Sequence, residues 1–149
     1  MSELGATIGI LLKRKTGEVW SISPAASVYE AIKLMADKRI GAVLVTEKHE
    51  LVGILSERDY ARKIVLQEKS SKDTAVSEIM TAPVTFVSPQ HTVGDCMRVI
   101  TDKRIRHLPV LQDGAIVGLI SIGDLVNWII TEQQETIRHL EAYITGATT

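Results

Sequence analysis

The 149 residues carry 17 Lys and Arg against 18 Asp and Glu, with 45% hydrophobic but only 4% aromatic residues. Near-neutral charge argues against a sequence-independent grip on nucleic acid, which needs a basic footprint, and the core must be aliphatic. One cysteine, Cys96, excludes an internal disulfide, and the scattered His49, His91, His107 and His139 match no zinc spacing.

The chain opens with a short apolar run over residues 8–12, broken by Gly9 and followed by Lys13, Arg14 and Lys15. That order reverses a secretory signal, and no stretch reaches membrane-spanning length, so a helix in a cytoplasmic protein is expected. A strand over 19–22 ends at Ser23-Pro24, an extended-to-helix junction. Val28, Ala31, Ile32 and Met35 then fall at i, i+3, i+4 and i+7, the spacing of a helix with one apolar face. Asp37-Lys38-Arg39-Ile40 closes it, with basic residues suited to a helix C-terminus. Strands over 42–46 and 51–56 form a hairpin, and a second helix starts after Ser56. Residues 68–75, polar and rich in Lys and Ser, read as a linker.

The same order then recurs. Residues 22–63 lie over 87–128 without a gap, at a constant offset of 65. Identities include Ser23/Ser88, Pro24/Pro89, Asp37/Asp102, Arg39/Arg104, Gly53/Gly118, Ser56/Ser121 and Asp59/Asp124. The second copy has a strand over 84–87, then a helix with Val93, Cys96, Met97 and Ile100 on its apolar face. A hairpin of 107–111 with 116–121 follows, turning at Asp113-Gly114. The final helix runs from about Asp124 toward Tyr143, with Leu125, Trp128, Ile129, Ile137 and Leu140 expected to be buried. Beyond Thr131 it exceeds what the repeat needs, leaving a dimer contact or a strap for the N-terminal helix as its two uses.

Each β-α-β-β-α copy is about half a comfortable domain, so the two should pack on each other. The fold class is therefore α/β (α+β), two repeats with an N-terminal helix and an extended C-terminal helix. The boundaries are 8–67 for the first repeat, 68–75 for the linker, 76–131 for the second repeat and 132–149 for the C-terminal extension and tail.

Chemistry concentrates at the two strand–helix junctions, Gly53 to Asp59 and Gly118 to Asp124, each a glycine, two apolar residues, serine, two variable residues and aspartate. One reading is a capping box, serine as N-cap and aspartate in the first turn. The other is a nucleoside phosphate site: the helix end offers N–H groups to a phosphate, and the carboxylate accepts ribose hydroxyls. On that second reading the glycine leaves room for the ligand. Residue types alone leave both open. The chain contains no Walker loop, no Gly-x-Gly-x-x-Gly, no Gly-x-Ser-x-Gly elbow and no paired catalytic groups.

The duplicated order, the doubled junction motif, Ile79-Met80-Thr81 and His107-Leu108-Pro109-Val110 resemble tandem CBS domains over about residues 14–128. The resemblance implies a non-catalytic regulatory module, a pseudo-twofold pair with two clefts between its repeats. In that family the clefts take adenosine-containing ligands: AMP, ADP or ATP, sometimes an NAD-type dinucleotide or S-adenosylmethionine. Carried over, the pattern gives Asp59 and Asp124 the ribose hydroxyls, with Ser56 and Ser121 near ribose or phosphate. Trp20 and Ile22 would line one cleft, Thr85 and Val87 the other, with Ile40 and Ile105 as apolar walls and Lys15 and Met80 at the borders. Arg58, Arg106 and His107 are the phosphate candidates. Arg58 is matched by Gly123 and Arg106 by Gly41, so unequal affinities are expected. The resemblance also implies a homodimer through helix faces and a regulated protein partner. A protein-interaction scaffold with vestigial clefts is the alternative, and a nucleotide-hydrolysing or nucleotide-transferring enzyme is a distant third.

Overall fold

The structure is a computed structural model and describes residues 4–15 and 17–145. Its elements in chain order are α1 (Ile8–Arg14), β1 (Ser21–Ile22), α2 (Val28–Lys38), β2 (Ala42–Glu47), β3 (Glu50–Ser56) and α3 (Glu57–Tyr60). A π-helical segment, Ala61–Val65, continues α3. Then follow α4 (Val76–Ile79), α5 (Val93–Lys103), β4 (His107–Gln112), β5 (Ala115–Ser121) and α6 (Ile122–Thr145). The mixed α/β class stands as expected, and α2, β2 and β3 map onto α5, β4 and β5 at the offset of 65.

Local chemistry explains the matching helices. Ser27 and Glu30 close a reciprocal capping box before α2, and Thr92 and Asp95 close one before α5. Both helices end on an arginine in left-handed conformation, Arg39 at φ 56° and Arg104 at φ 55°. The reversal lets Ile40 N and Ile105 N donate back to Met35 O at 3.0 Å and Ile100 O at 3.2 Å. The duplicated Asp-Lys-Arg-Ile is thus a helix stop.

Strand β1 runs parallel to β2, which pairs antiparallel with β3 from Ala42↔Ser56 to Glu47↔Glu50. β4 and β5 form a second, two-stranded sheet. The strand expected over 19–22 is confined to Ser21–Ile22, and that expected over 84–87 is reduced to a single bridge, Val87↔Val110. Proline explains the difference between the copies. In the first repeat Leu44 N donates to Trp20 O at 3.3 Å, whereas the matching residue of the second is Pro109, which has no N–H. There the bond from Val87 N to Pro109 O, at 3.0 Å, belongs to the bridge that remains.

The chain gathers into two compact units that do not follow repeat order. One combines the N-terminal stretch and α1 with Val87–Val110 and the chain from Gly118 through α6. Its core includes Ile8, Leu11, Val93, Cys96, Ile100, Leu108, Val110, Ile120, Leu125 and Trp128. The other comprises Gly17–Phe86 and Leu111–Val117, with Val28, Ala31, Met35, Val43, Val45, Leu55, Ile64, Val76 and Ile79 inside.

Backbone hydrogen bonds show how each unit takes its leading segment. Ile8 N and Gly9 N donate to His91 O and Pro89 O at 2.8 and 2.9 Å. Val76 N and Ser77 N donate to the matching Ala26 O and Pro24 O at 2.8 and 3.0 Å. The segment read as a linker is part of this device. Thr74 O and Ser71 O accept from Val28 N and Tyr29 N, both at 2.9 Å, and so satisfy the free donors at the start of α2. Thr74 is itself buried, with Oγ1 donating to Ser70 O at 2.7 Å.

Cys96 is fully buried on α5, and burial, aided by the Asp95 charge, pushes its thiol up to about 11. It is an inert core thiol, as its place on the apolar face implies. The expectation for α6 needs correction. Leu125 and Trp128 are buried, but Ile137 and Leu140 are 54% and 57% exposed. Arg14 straps α1 to the first half of α6, donating to Glu132 Oε1 at 2.9 Å and stacking 4.6 Å over the Trp128 ring. Among the described residues no helix is long and apolar enough to cross a membrane.

Candidate functional site

Each junction is built where the second strand of a hairpin, β3 or β5, ends and the chain turns into a helix. Glu57 N donates to Gly41 O at 3.0 Å, and Ile122 N to Arg106 O at 2.9 Å, tying each helix start to the start of the preceding hairpin. Within that turn, Ser56 N donates to Asp59 Oδ2 at 3.0 Å while Asp59 N donates to Ser56 Oγ at 3.2 Å. Ser121 and Asp124 repeat the pattern at 2.8 and 3.1 Å. The capping reading is therefore correct as geometry.

The box at α5 also carries a cation, Arg98 at 2.7 Å from Asp95 Oδ1, but at the two junctions the cation is a lysine that a main-chain carbonyl holds in place. In one unit Lys15 Nζ lies 2.7 Å from Asp124 Oδ2 and donates to Leu119 O at 2.6 Å. In the other, Lys63 Nζ lies 3.3 Å from Asp59 Oδ1 and donates to Ile79 O at 2.9 Å. Thr81 Oγ1 also donates to Asp59 Oδ1, at 3.2 Å. Each carboxylate thus carries a lysine clamped by a main-chain carbonyl. The two lysines occupy unmatched positions: the counterpart of Lys15 is Met80, and that of Lys63 is Trp128.

Lysine and threonine here were not all anticipated. Lys63 and Thr81 were missed as site residues, although Lys63 stands four residues after Asp59 on one helix face, a legible ion-pair spacing. The glycines also serve otherwise than expected. A Cβ on Gly53 would meet Met80 Sδ at 2.5 Å, and one on Gly118 would meet Leu12 Cδ2 at 2.6 Å. Both leave room for the chain's own side chains rather than for a ligand.

The remaining candidates are distributed between the units. Trp20, Ile22, Ile40 and Met80 pack on the rim of the core that contains Val28, and Lys38 Nζ sits 4.2 Å over the Trp20 ring. Arg58 and Thr85 are half-buried in the same unit. Val87 is buried in the core of the other unit, where Ile105 packs, Arg106 is exposed and His107 is half-buried. An open cavity of about 490 Å³ lies against α2, lined by residues including Met35, Arg39, Ile40, Glu57 and Tyr60. It takes in Ile40 and borders the first junction at Glu57, but Ser56 and Asp59 are not among its lining residues. Among the described residues no three His, Cys, Asp or Glu groups gather as a metal site.

Electrostatics favour a charged carboxylate at Asp124. Burial pushes the carboxyl up, but the hydrogen bond and charge of Lys15, with the hydrogen bonds of Ser121, outweigh it and hold it below the ordinary value of 3.8. A depressed folded value stabilises the fold above the unfolded value, and that contribution is lost as pH falls through the folded one. Acid denaturation followed by circular dichroism is therefore expected to be less steep below about pH 4 in Asp124→Asn than in wild type. Identical acid transitions would show that the ion pair adds nothing to stability.

Comparison with known proteins follows the same lines. The family model described as the CBS domain matches residues 14–66 and again 76–131. The mitochondrial CBS domain-containing protein CBSX3 of Arabidopsis thaliana is 43% identical over 125 residues, 80% of this chain and 61% of that protein. YhcV, a CBS domain-containing protein of Bacillus subtilis, is 32% identical over 110 residues, 74% of this chain and 78% of that one. A solved structure from Burkholderia ambifaria, described as a candidate signal-transduction protein with CBS domains, is 50% identical with a TM-score of 0.83. That likeness covers 86% of this chain and 96% of the other. The chain thus spans less than two thirds of CBSX3.

Proposed function

Because the chain belongs to the CBS domain family, with both repeats matched, we propose that it is a non-catalytic regulatory module that binds adenosine-containing nucleotides. The candidate ligands are AMP, ADP or ATP, with NAD and S-adenosylmethionine as further members of the class. The supporting observation is the lysine-bearing carboxylate built twice, at Asp59 and Asp124. A cap needs only the serine and the carboxylate, with or without a neighbouring cation such as Arg98 at Asp95; what the junctions add is a lysine held at the carboxylate by a main-chain carbonyl.

On this reading the ribose hydroxyls replace the lysine as hydrogen-bond donors to each carboxylate. The released ammonium then pairs with phosphate, so one exchange recognises both parts of the ligand. Ser56 and Ser121 keep the carboxylates oriented, and Arg58, Arg106 and His107 supply further phosphate contacts. Ligand binding biases a regulated protein partner through differential affinity for two states. A homodimer through helix faces and a cytoplasmic setting, where the lone thiol stays reduced, belong to the same reading.

The test is mass spectrometry of small molecules that co-purify with the protein, followed by calorimetric titration with AMP, ATP, NAD and S-adenosylmethionine. Saturable binding of one of them supports the sensor. No binding by well-folded protein returns both junctions to plain helix caps and leaves the scaffold.

A further inference from the structure

The two clamping lysines hold different things in place. Lys63 lies four residues after Asp59 on one helical run and also donates to Ile79 O at 2.9 Å. The segment around Ile79 does not depend on it: Val76 N donates to Ala26 O and Thr81 N to Ile54 O, both at 2.8 Å. Lys15 reaches Asp124 from 109 residues away and caps the C-terminal end of α1. Its ammonium lies 2.7 Å from Asp124 Oδ2 and 2.6 Å from Leu119 O. Lys15, Leu119 and Asp124 belong to one compact unit.

The two ends of α1 are held differently. At its start Ile8 is fully buried, and the Ile8 and Gly9 amides donate to His91 O and Pro89 O. Beyond the buried Leu11, no backbone group of the helix bonds to another element among the described residues. That end is held by side chains alone: Leu12 beside Gly118, Arg14 on Glu132 and Trp128, and Lys15. The Arg14–Glu132 pair is exposed, and such pairs contribute little. Lys15, shared between a half-buried carboxylate and a carbonyl, is the main polar tie.

We infer that the last turn of α1 is a latch, closed by Lys15 on Asp124 and loosened by whatever takes that carboxylate from the lysine. On the nucleotide reading, on which this step rests, a ribose at Asp124 opens the latch. Lys15 then gives up two bonds, to Asp124 and Leu119 O, for one to phosphate. At Asp59 the same exchange releases no segment, so only the second junction reports its occupant to the N-terminal helix. Linkage makes the effect reciprocal: anything that undocks this turn favours a ligand at Asp124.

Amide hydrogen exchange of the full chain, read residue by residue by NMR, tests it. Without ligand, Lys15→Met is expected to lower protection at Leu12 to Lys15 by about 5-fold or more, a usual size for coupled sites. Asp124→Asn should act in the same direction, Lys15→Arg should keep most of the protection, and Asp59→Asn should change nothing there. Protection in β2 and α5 should stay at the wild-type level, which separates a loosened turn from a destabilised fold. Saturating AMP or ATP should produce the same loss in wild type and none further in Asp124→Asn. Unchanged protection in both Lys15→Met and Asp124→Asn overturns the latch. A nucleotide that needs Asp124 to bind yet leaves α1 protected overturns its control by ligand, while the nucleotide reading stands. Absence of all nucleotide binding defeats that reading, and the variants alone then decide the latch.

Discussion

Replacing Leu108 with alanine is expected to lower the free energy of unfolding by about 2–5 kcal/mol. Leu108 is fully buried on β4, in the core formed with Ile8, Val93, Ile100 and Ile120. The strand beside it is reduced to a single bridge at Val87, so this unit has few ladder bonds with which to resist a cavity. The adjoining Pro109 and Val110 are buried as well, which limits how far the site can collapse. A domain of this size holds only about 5–15 kcal/mol in total, so the loss approaches the threshold of folding. Val117→Ala, at an exposed position of β5, is the control and should stay within about 0.5 kcal/mol. Urea unfolding reads both, and a loss below about 1 kcal/mol for Leu108→Ala would mean that the core closes over the gap.

Asparagine at both junctions carries the second large effect. Asp59→Asn and Asp124→Asn should each weaken nucleotide binding at the altered junction by roughly 10- to 150-fold, the value of a charge-assisted hydrogen bond. Asparagine retains an oxygen for Ser56 N or Ser121 N, so the caps survive and the fold is kept. What it removes is the charge that the clamped lysine, or a ribose in its place, addresses. Titration of each single variant also separates the two junctions, because Lys15 reaches Asp124 across 109 residues while Lys63 reaches Asp59 within one helical run. Full affinity in both variants would show that the carboxylates serve as caps alone.

Much of this architecture was legible from residue pattern. The offset of 65, the apolar spacing in α2 and α5, the hairpins and the capping pairs are local features, and local periodicity reports them directly. The lost strand at 84–87 was also written in the chain, in the exchange of Leu44 for Pro109, but its meaning appears only once the missing bond has a named acceptor in Trp20. Lys63 followed a known spacing and could have been found.

Other features had no signature in side chains. Residues 71–77 and 4–9 join their units through main-chain donors and acceptors, which every sequence possesses, so a polar stretch read as linker became part of the fold. Gly53 and Gly118 were ambiguous until Met80 and Leu12 were seen filling the space beside them. Periodicity likewise marks Ile137 and Leu140 as one apolar face without saying what covers it. The sequence by itself determined the main helices and hairpins, their duplication and the capping pairs of the two junctions, because those depend on neighbours close along the chain. Only the tertiary structure decided which segment completes which unit, which lysine meets which aspartate and which face of α6 stays open, because each depends on residues brought together from far apart.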